Sequence, residues 1–169
     1  MKTLVAYFSA SGITAEAARA LARATGADLF EIVPEKPYSE ADVNWKNPLA
    51  RCNKEKLGKK NVPVAGSIEN FNQYDVMLLG FPIWYGGAPN VINTFAKGYD
   101  WKGKKIGIFA TSGGSGIGKT AANLQPYVEG AEIVDAQVNL PLDEDSLKAW
   151  ADKILAASLE NLGKWAETV

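Results

Sequence analysis

Leu4-Val5-Ala6-Tyr7-Phe8-Ser9-Ala10-Ser11-Gly12-Ile13-Thr14 reads as a buried strand that turns at once into a helix. Five unbroken apolar residues suit a strand covered on both faces, as in a parallel sheet. Ile13, Ala17, Leu21 and Ala24 then recur at helical spacing until Gly26. The alternation repeats down the chain. Strands are expected at 28–33, 76–81, 105–110 and 131–140. Residues 39–58 should include a helix, with Lys54-Glu55-Lys56 on its wet side. A helix after Pro89 carries Val91, Ile92 and Phe95 up to Gly98, and another follows the 111–118 turn and ends near Pro126. The last starts at Asp143-Glu144-Asp145, shows Leu147, Trp150, Ile154, Leu155 and Leu162 on one face, and should stop at Gly163. Repeated strand–helix alternation predicts an α/β fold: one domain over 1–169, a doubly wound five-stranded parallel sheet with helices on both faces. Ligands of such sheets sit at the carboxyl ends of the strands, near the switch in strand order. That singles out the loops at 9–14, 82–89 and 111–118.

Composition narrows the chemistry. The 169 residues are 47% hydrophobic and 22% charged, as in a folded globular domain. With 18 basic against 19 acidic residues the net charge is −1, so no broad basic face is available and no nucleic-acid partner is expected. There is no histidine and a single cysteine, Cys52. A His-based triad, a His–metal cluster, an intramolecular disulfide and a Cys-x-x-Cys pair are all excluded, and no metal is expected. The chain must borrow its reactive chemistry from a cofactor, or only bind. No run reaches the ~18–20 apolar residues of a membrane span. Met1-Lys2-Thr3 before the apolar 4–8 run resembles a signal peptide, but the run is too short and enters a turn. A cytoplasmic protein without membrane contact is expected.

Each loop admits two readings. Ser9, Ala10, Ser11, Gly12, Ile13 and Thr14 join a strand to a helix N-terminus, where free N–H groups and partial positive charge can hold a phosphate. The same residues would serve as a plain helix cap. Trp84 and Tyr85 stand between prolines and glycines in Pro82-Ile83-Trp84-Tyr85-Gly86-Gly87-Ala88-Pro89. Their rings either pack on the core or wall a cleft for a flat heteroaromatic ligand. Thr111-Ser112-Gly113-Gly114-Ser115-Gly116-Ile117-Gly118 exposes backbone N–H groups, yet Gly113 to Thr120 also spells the P-loop pattern G-x-x-x-x-G-K-[ST] of nucleotide hydrolases. Against that rival, the motif follows the fourth strand rather than the first. An apolar strand ending in Asp is also wanting: Asp75 precedes its strand, and Ile133-Val134-Asp135 is a meagre candidate.

Together the three loops resemble the flavodoxin family, in its short-chain bacterial form. Ser9-x-Ser11-Gly12-x-Thr14 resembles the family's phosphate signature, Tyr74-Asp75-Val76 through Gly86 its second loop, and Phe109 to Gly118 its third. The resemblance covers almost the whole chain. It implies the strand order 2-1-3-4-5 and non-covalently bound FMN. Ser9 to Thr14 would hold the 5′-phosphate, and Trp84 and Tyr85, with Pro82 and Ile83 before them, would flank the flavin ring. The Tyr85-Gly86-Gly87 backbone would meet flavin N5, and Thr111, Ser112, Gly113, Gly114, Ser115 and Gly116 its pyrimidine edge. Many members are strongly acidic, whereas this chain is nearly neutral.

The resemblance implies an electron carrier working between a flavoprotein reductase and downstream redox proteins. The alternative is an FMN-dependent NAD(P)H:quinone-type oxidoreductase. No loop contains the Lys or Arg that a dinucleotide's phosphates would want, so the carrier is favoured. Cys52 is expected as a small buried residue, Trp45 as packing of an irregular segment that could also cover the flavin. Lys54, Lys56, Lys59 and Lys60 are expected as a solvated face.

Overall fold

The computed structural model describes residues 1–167, with side chains described for residues 1–157. Five strands form one parallel sheet: β1 (Thr3–Tyr7), β2 (Asp28–Glu31), β3 (Val76–Pro82), β4 (Lys105–Thr111) and β5 (Glu132–Val138). Their spatial order is β2-β1-β3-β4-β5, the order the resemblance implies. All four neighbouring pairs are parallel, for example Ala6 beside Phe30 and Leu79, and Gly80 beside Phe109. A two-residue antiparallel ladder, Val33–Pro34 against Val64–Ala65, stands apart and anchors the 35–63 excursion.

The helices are α1 (Ile13–Thr25), α2 (Arg51–Leu57), α3 (Asn90–Lys97), α4 (Thr120–Leu124) and α5 (Glu144–Glu167). Strand side chains alternate faces with period two, and this splits the interior into two cores. Leu4, Ala6, Met77, Leu79, Phe81, Ile106 and Ile108 pack with Val91, Ile92 and Phe95 of α3. Val5, Tyr7, Leu78 and Phe109 pack instead with Leu21 of α1 and with Leu147, Trp150 and Ile154 of α5. The central strands β1, β3 and β4 are thus buried on both faces, which is why they read as continuous apolar runs, whereas the edge strands β2 and β5 are only partly covered.

Two glycines set how closely the second layer approaches. A Cβ on Gly80 would lie 2.2 Å from Phe109, and one on Gly107 would lie 2.9 Å from Ile154. The sheet needs bare backbone at both positions, so that the Phe109 ring lies across β3 and α5 settles onto β4.

Two expectations need correction. The final helix does not stop at Gly163 but runs on to Glu167. A glycine ends a helix where it takes a left-handed conformation; within a helix it only lowers stability by ~1 kcal/mol. Leu162 falls outside the described side chains. The fourth helix ends near Pro126 as expected: it has five residues and passes into a 3-10 turn, Gln125–Val128, containing that proline. Lys119, the lysine of the P-loop pattern, would be expected one turn into that helix, but it precedes Thr120, the first helical residue, because Gly118 at φ +52° keeps the chain irregular up to that point.

Candidate cofactor site

The order of the strands reverses between β1 and β3, since the chain leaves β1 toward β2 on one side and resumes on the other with β3. The loops that follow β1, β3 and β4 therefore end side by side, at the position where doubly wound sheets hold ligands.

After β1, Gly12 caps α1 with φ +95°, a conformation natural only to glycine. The Gly12 N–H donates to Ser9 Oγ at 3.1 Å, folding the loop back so that the first turn of α1 faces outward. Ser11, Gly12 and Ile13 are exposed and Ser9 and Ala10 half-buried. Thr14 is buried; its hydroxyl lies 2.7 Å from that of Thr111, at the end of β4. A direct hydrogen bond therefore ties the first loop to the third.

After β3, Trp84 and Gly87 exchange two backbone hydrogen bonds, Trp84 N–H to Gly87 O at 2.8 Å and Gly87 N–H to Trp84 O at 3.2 Å. Tyr85 and Gly86 between them have φ of +54° and +75°. Positive φ at both central residues marks the tight hairpin turn called type I′. The turn separates the two rings. Trp84 is half-buried, edge-on to Phe8 at 5.7 Å and to Tyr38 at 5.3 Å, so it packs on the core and faces the cleft at once. Tyr85 remains 48% exposed. Burial, then the Cys52 thiol beside it, pushes the Tyr85 hydroxyl above its ordinary pKa.

After β4, Ser112 organises its own loop: its Oγ accepts the N–H groups of Gly114 at 3.2 Å and Ser115 at 2.8 Å. Asn139 clamps the Ser112 peptide from β5, with Oδ1 accepting the Ser112 N–H at 2.9 Å and Nδ2 donating to its carbonyl at 2.8 Å. Sequence reasoning missed Asn139. Its signal was present: an Asn just after a strand is a residue type that tolerates the left-handed φ of +52° found there.

These loops bound a cleft of about 530 Å³, within the ~300–1,000 Å³ of small-molecule sites. Ile83, Trp84 and Tyr85 form one wall and residues 112–115 another, while Val43, Trp45 and Cys52 close it from the excursion. Pro82 and Thr111 are the strand ends beneath it, and Gly86, Gly87 and Gly116 lie beyond its lining. Ser9 to Thr14 do not line it; they form the separate helix-start cradle after the adjoining strand. Cys52 is buried, as expected, but it borders the cleft. Trp45 is 68% exposed at the rim rather than packed.

The excursion is held by a network that the sequence did not disclose. Arg51 stacks its guanidinium 3.9 Å from the centre of the Tyr38 ring and donates to Glu55 at 2.6 Å. The Tyr38 hydroxyl donates to the same carboxylate. Burial, and then that hydrogen bond, raises the Tyr38 pKa well above its usual value. Asn53 adds bonds to the carbonyls of Trp45 and Asn47 at 3.0 and 2.5 Å.

The residues fit FMN on their own chemistry. An exposed helix start with serine hydroxyls supplies neutral donors for a phosphate, and an aromatic cleft with glycine backbone suits a flat ring. The P-loop pattern does not make a magnesium–phosphate cradle: Thr120 is buried and its hydroxyl is committed to Ile117 O at 2.5 Å. Among the described residues no cluster of metal-ligating side chains occurs and no helix is long and apolar enough to cross a membrane.

A family model described as flavodoxin matches residues 2–154. A crystal structure of a candidate flavoprotein from Bacteroides eggerthii DSM 20697 is 41% identical, covering 91% of this chain and 98% of that one with a TM-score of 0.83. A second candidate flavoprotein, from Bacteroides uniformis ATCC 8492, is 35% identical over 89% and 97%, with a TM-score of 0.81. A flavoprotein from Lactobacillus acidophilus NCFM, crystallised in complex with FMN, shares the fold at 22% identity, 89% and 98% coverage and a TM-score of 0.63. No curated protein matches the chain in sequence. With a family match over nearly its full length and two solved structures above 30% identity, the chain belongs to the flavodoxin family.

Proposed function

We propose that this protein binds FMN non-covalently and carries electrons between redox partner proteins, a flavoprotein reductase on one side and downstream acceptors on the other, in the cytoplasm. The whole chain, 1–169, serves as one FMN-binding domain. The observation that carries the reading is the make-up of the cleft: aromatic rings, small residues and backbone, with no Asp, Glu, Lys or Arg among its lining residues. Such a site can hold a flat ring but offers no strong acid or base to a second substrate. Bound FMN supplies reversible one- and two-electron exchange at its ring. Ser9, Ser11 and the first turn of α1 hold the phosphate; Trp84 and Tyr85 flank the ring; the Tyr85–Gly87 backbone faces the flavin's N5, and residues 111–116 its pyrimidine edge. The half-exposed Tyr85 leaves one flavin edge open to a partner.

The purified protein, incubated with FMN and passed through a desalting column, should emerge yellow. Denaturation should then release FMN in about one-to-one ratio. Protein that stays colourless after excess FMN overturns the reading.

A further inference from the structure

Of the lysines expected as a solvated face, Lys54, Lys59 and Lys60 are exposed and Lys56 is half-buried, and three of the four also border a cavity. Lys56 from the end of α2, Lys59 and Lys60 from the turn after it, and Lys97 from the end of α3 converge on a second cavity of about 490 Å³. Amide groups of Asn93 and Asn123 and the ring of Tyr127 complete its walls. No Asp or Glu lines it, and none of the four lysines pairs with a carboxylate among the described residues. Lysines on a convex helix face spread into water and meet acids one turn away; four gathered in a concavity without an acid repel one another. That repulsion is relieved by an anion.

The residue types narrow the class. Four ammonium groups exceed what one carboxylate could offset. They act as point charges without the planar fork of arginine, which suits the many oxygens of a phosphate group. The cavity is far roomier than inorganic phosphate requires, and the half-buried Tyr127 ring, with the Lys97 ammonium 5.2 Å from its centre, gives it an aromatic side where an organic body can rest. Glu55, the nearest acid on α2, is occupied on the far side by Arg51 and Tyr38. Lys56 is partly committed, donating to Ala88 O at 2.8 Å, and burial pushes its pKa down, so an anion at that end relieves an existing cost.

We propose that this cavity is a binding site for an organic diphosphate of nucleotide size, separate from the cleft lined by Trp84 and Tyr85. The inference does not depend on the proposed electron-transfer role. The test uses protein saturated with FMN, with FMN retention measured in parallel. ADP, inorganic pyrophosphate and adenosine are titrated by calorimetry at low salt, with amide NMR shifts as the map. The expected result is saturable binding of ADP, weaker binding of pyrophosphate and none of adenosine, with shifts confined to residues 56–61, 90–97 and 120–127. Raising ionic strength to about 1 M, where the screening length is ~3 Å, should weaken ADP at least tenfold. The Lys60→Gln/Lys97→Gln variant, checked for an unchanged melting temperature, should show the same loss; Lys56 is left intact because it holds Ala88.

Adenosine binding as tightly as ADP overturns the proposal, as does unaltered ADP affinity in the variant. Shifts centred on residues 9–14 would place the anion on the helix-start cradle instead. Binding of polyglutamate without binding of ADP would make the patch a docking face for acidic proteins. Protein that fails to bind FMN can be titrated in the same way, so failure of the functional reading and failure of this one are told apart.

Discussion

Thr14 and Thr111 lie 97 positions apart in sequence and 2.7 Å apart in space. In a pair of hydroxyls one donates to the other, so only one O–H of the two remains for anything else. If that proton goes to a phosphate beside α1, the pair couples phosphate binding to the loop that starts at Thr111. Thr14→Ala removes a hydrogen bond to a charged group, worth about 1.5–3 kcal/mol, or roughly 10- to 150-fold in affinity. FMN should lose that much while riboflavin, which has no phosphate, loses little. Parallel fluorescence titrations of the two ligands check this; equal losses would mean that the pair does not read the phosphate. The hydroxyl of Thr14 was legible in the sequence as a candidate donor, but its partner was not. A pairing between the first turn of α1 and the end of β4 depends on how the strands are ordered and the helix is seated, which no local pattern encodes.

Elements were legible where burial is two-sided and regular, and obscure where side-chain bonds replace it. β1, β3 and β4 lie where apolar runs place them, because central parallel strands between two helical layers need apolar residues on both faces. The edge strands β2 and β5 carry Asp28, Glu31, Glu132, Asp135 and Gln137 and are only partly covered. The 35–63 excursion has no such period. Its order comes from Arg51, Glu55, Tyr38 and Asn53, whose bonds join residues 4 to 17 apart, so only the existence of α2 could be read. The glycines of 111–118 were legible as a loop and the helix after them as one ending near Pro126, but its start as late as Thr120 was not. Within the sheet, the Gly80–Phe109 pair makes a prediction. Any side chain on Gly80 must displace a ring that is itself packed between α1 and α5. Overpacking of this kind typically costs 1–3 kcal/mol, so Gly80→Ala should lower stability by about 2 kcal/mol. Gly80→Ala with Phe109→Leu should recover part of it, because the smaller side chain vacates the space. Chemical denaturation of the three variants measures this, and a double variant weaker than the sum of its single changes would refute the steric account.

Over the whole molecule, the near-zero net charge hides a division of labour. The cleft bounded by Trp84, Tyr85 and residues 112–115 carries no charge in its lining, while four lysines gather around a separate cavity on the other side of Gly87. A carrier needs only an accessible flavin edge, and Tyr85 and Trp45 stand exposed at the rim of the cleft. An enzyme that takes electrons from NAD(P)H must also stack a nicotinamide on the flavin and hold its phosphates within the span of one dinucleotide. None of the three loops supplies a cation for that purpose, and without histidine the chain has no imidazole to move a proton at the ring. The FMN-loaded protein should therefore be reduced very slowly by NADPH or NADH alone, and much faster once a flavoprotein reductase is added. Stopped-flow absorbance under anaerobic conditions follows the flavin directly in both mixtures. Saturable oxidation of NADPH without the reductase, coupled to a quinone at about 1 s⁻¹ or more, would make the protein an enzyme. The lysine cavity then becomes the decisive control. If Lys60→Gln/Lys97→Gln raised the KM for NADPH while sparing kcat, the diphosphate site would belong to the reaction; an unchanged KM would leave it independent of the flavin.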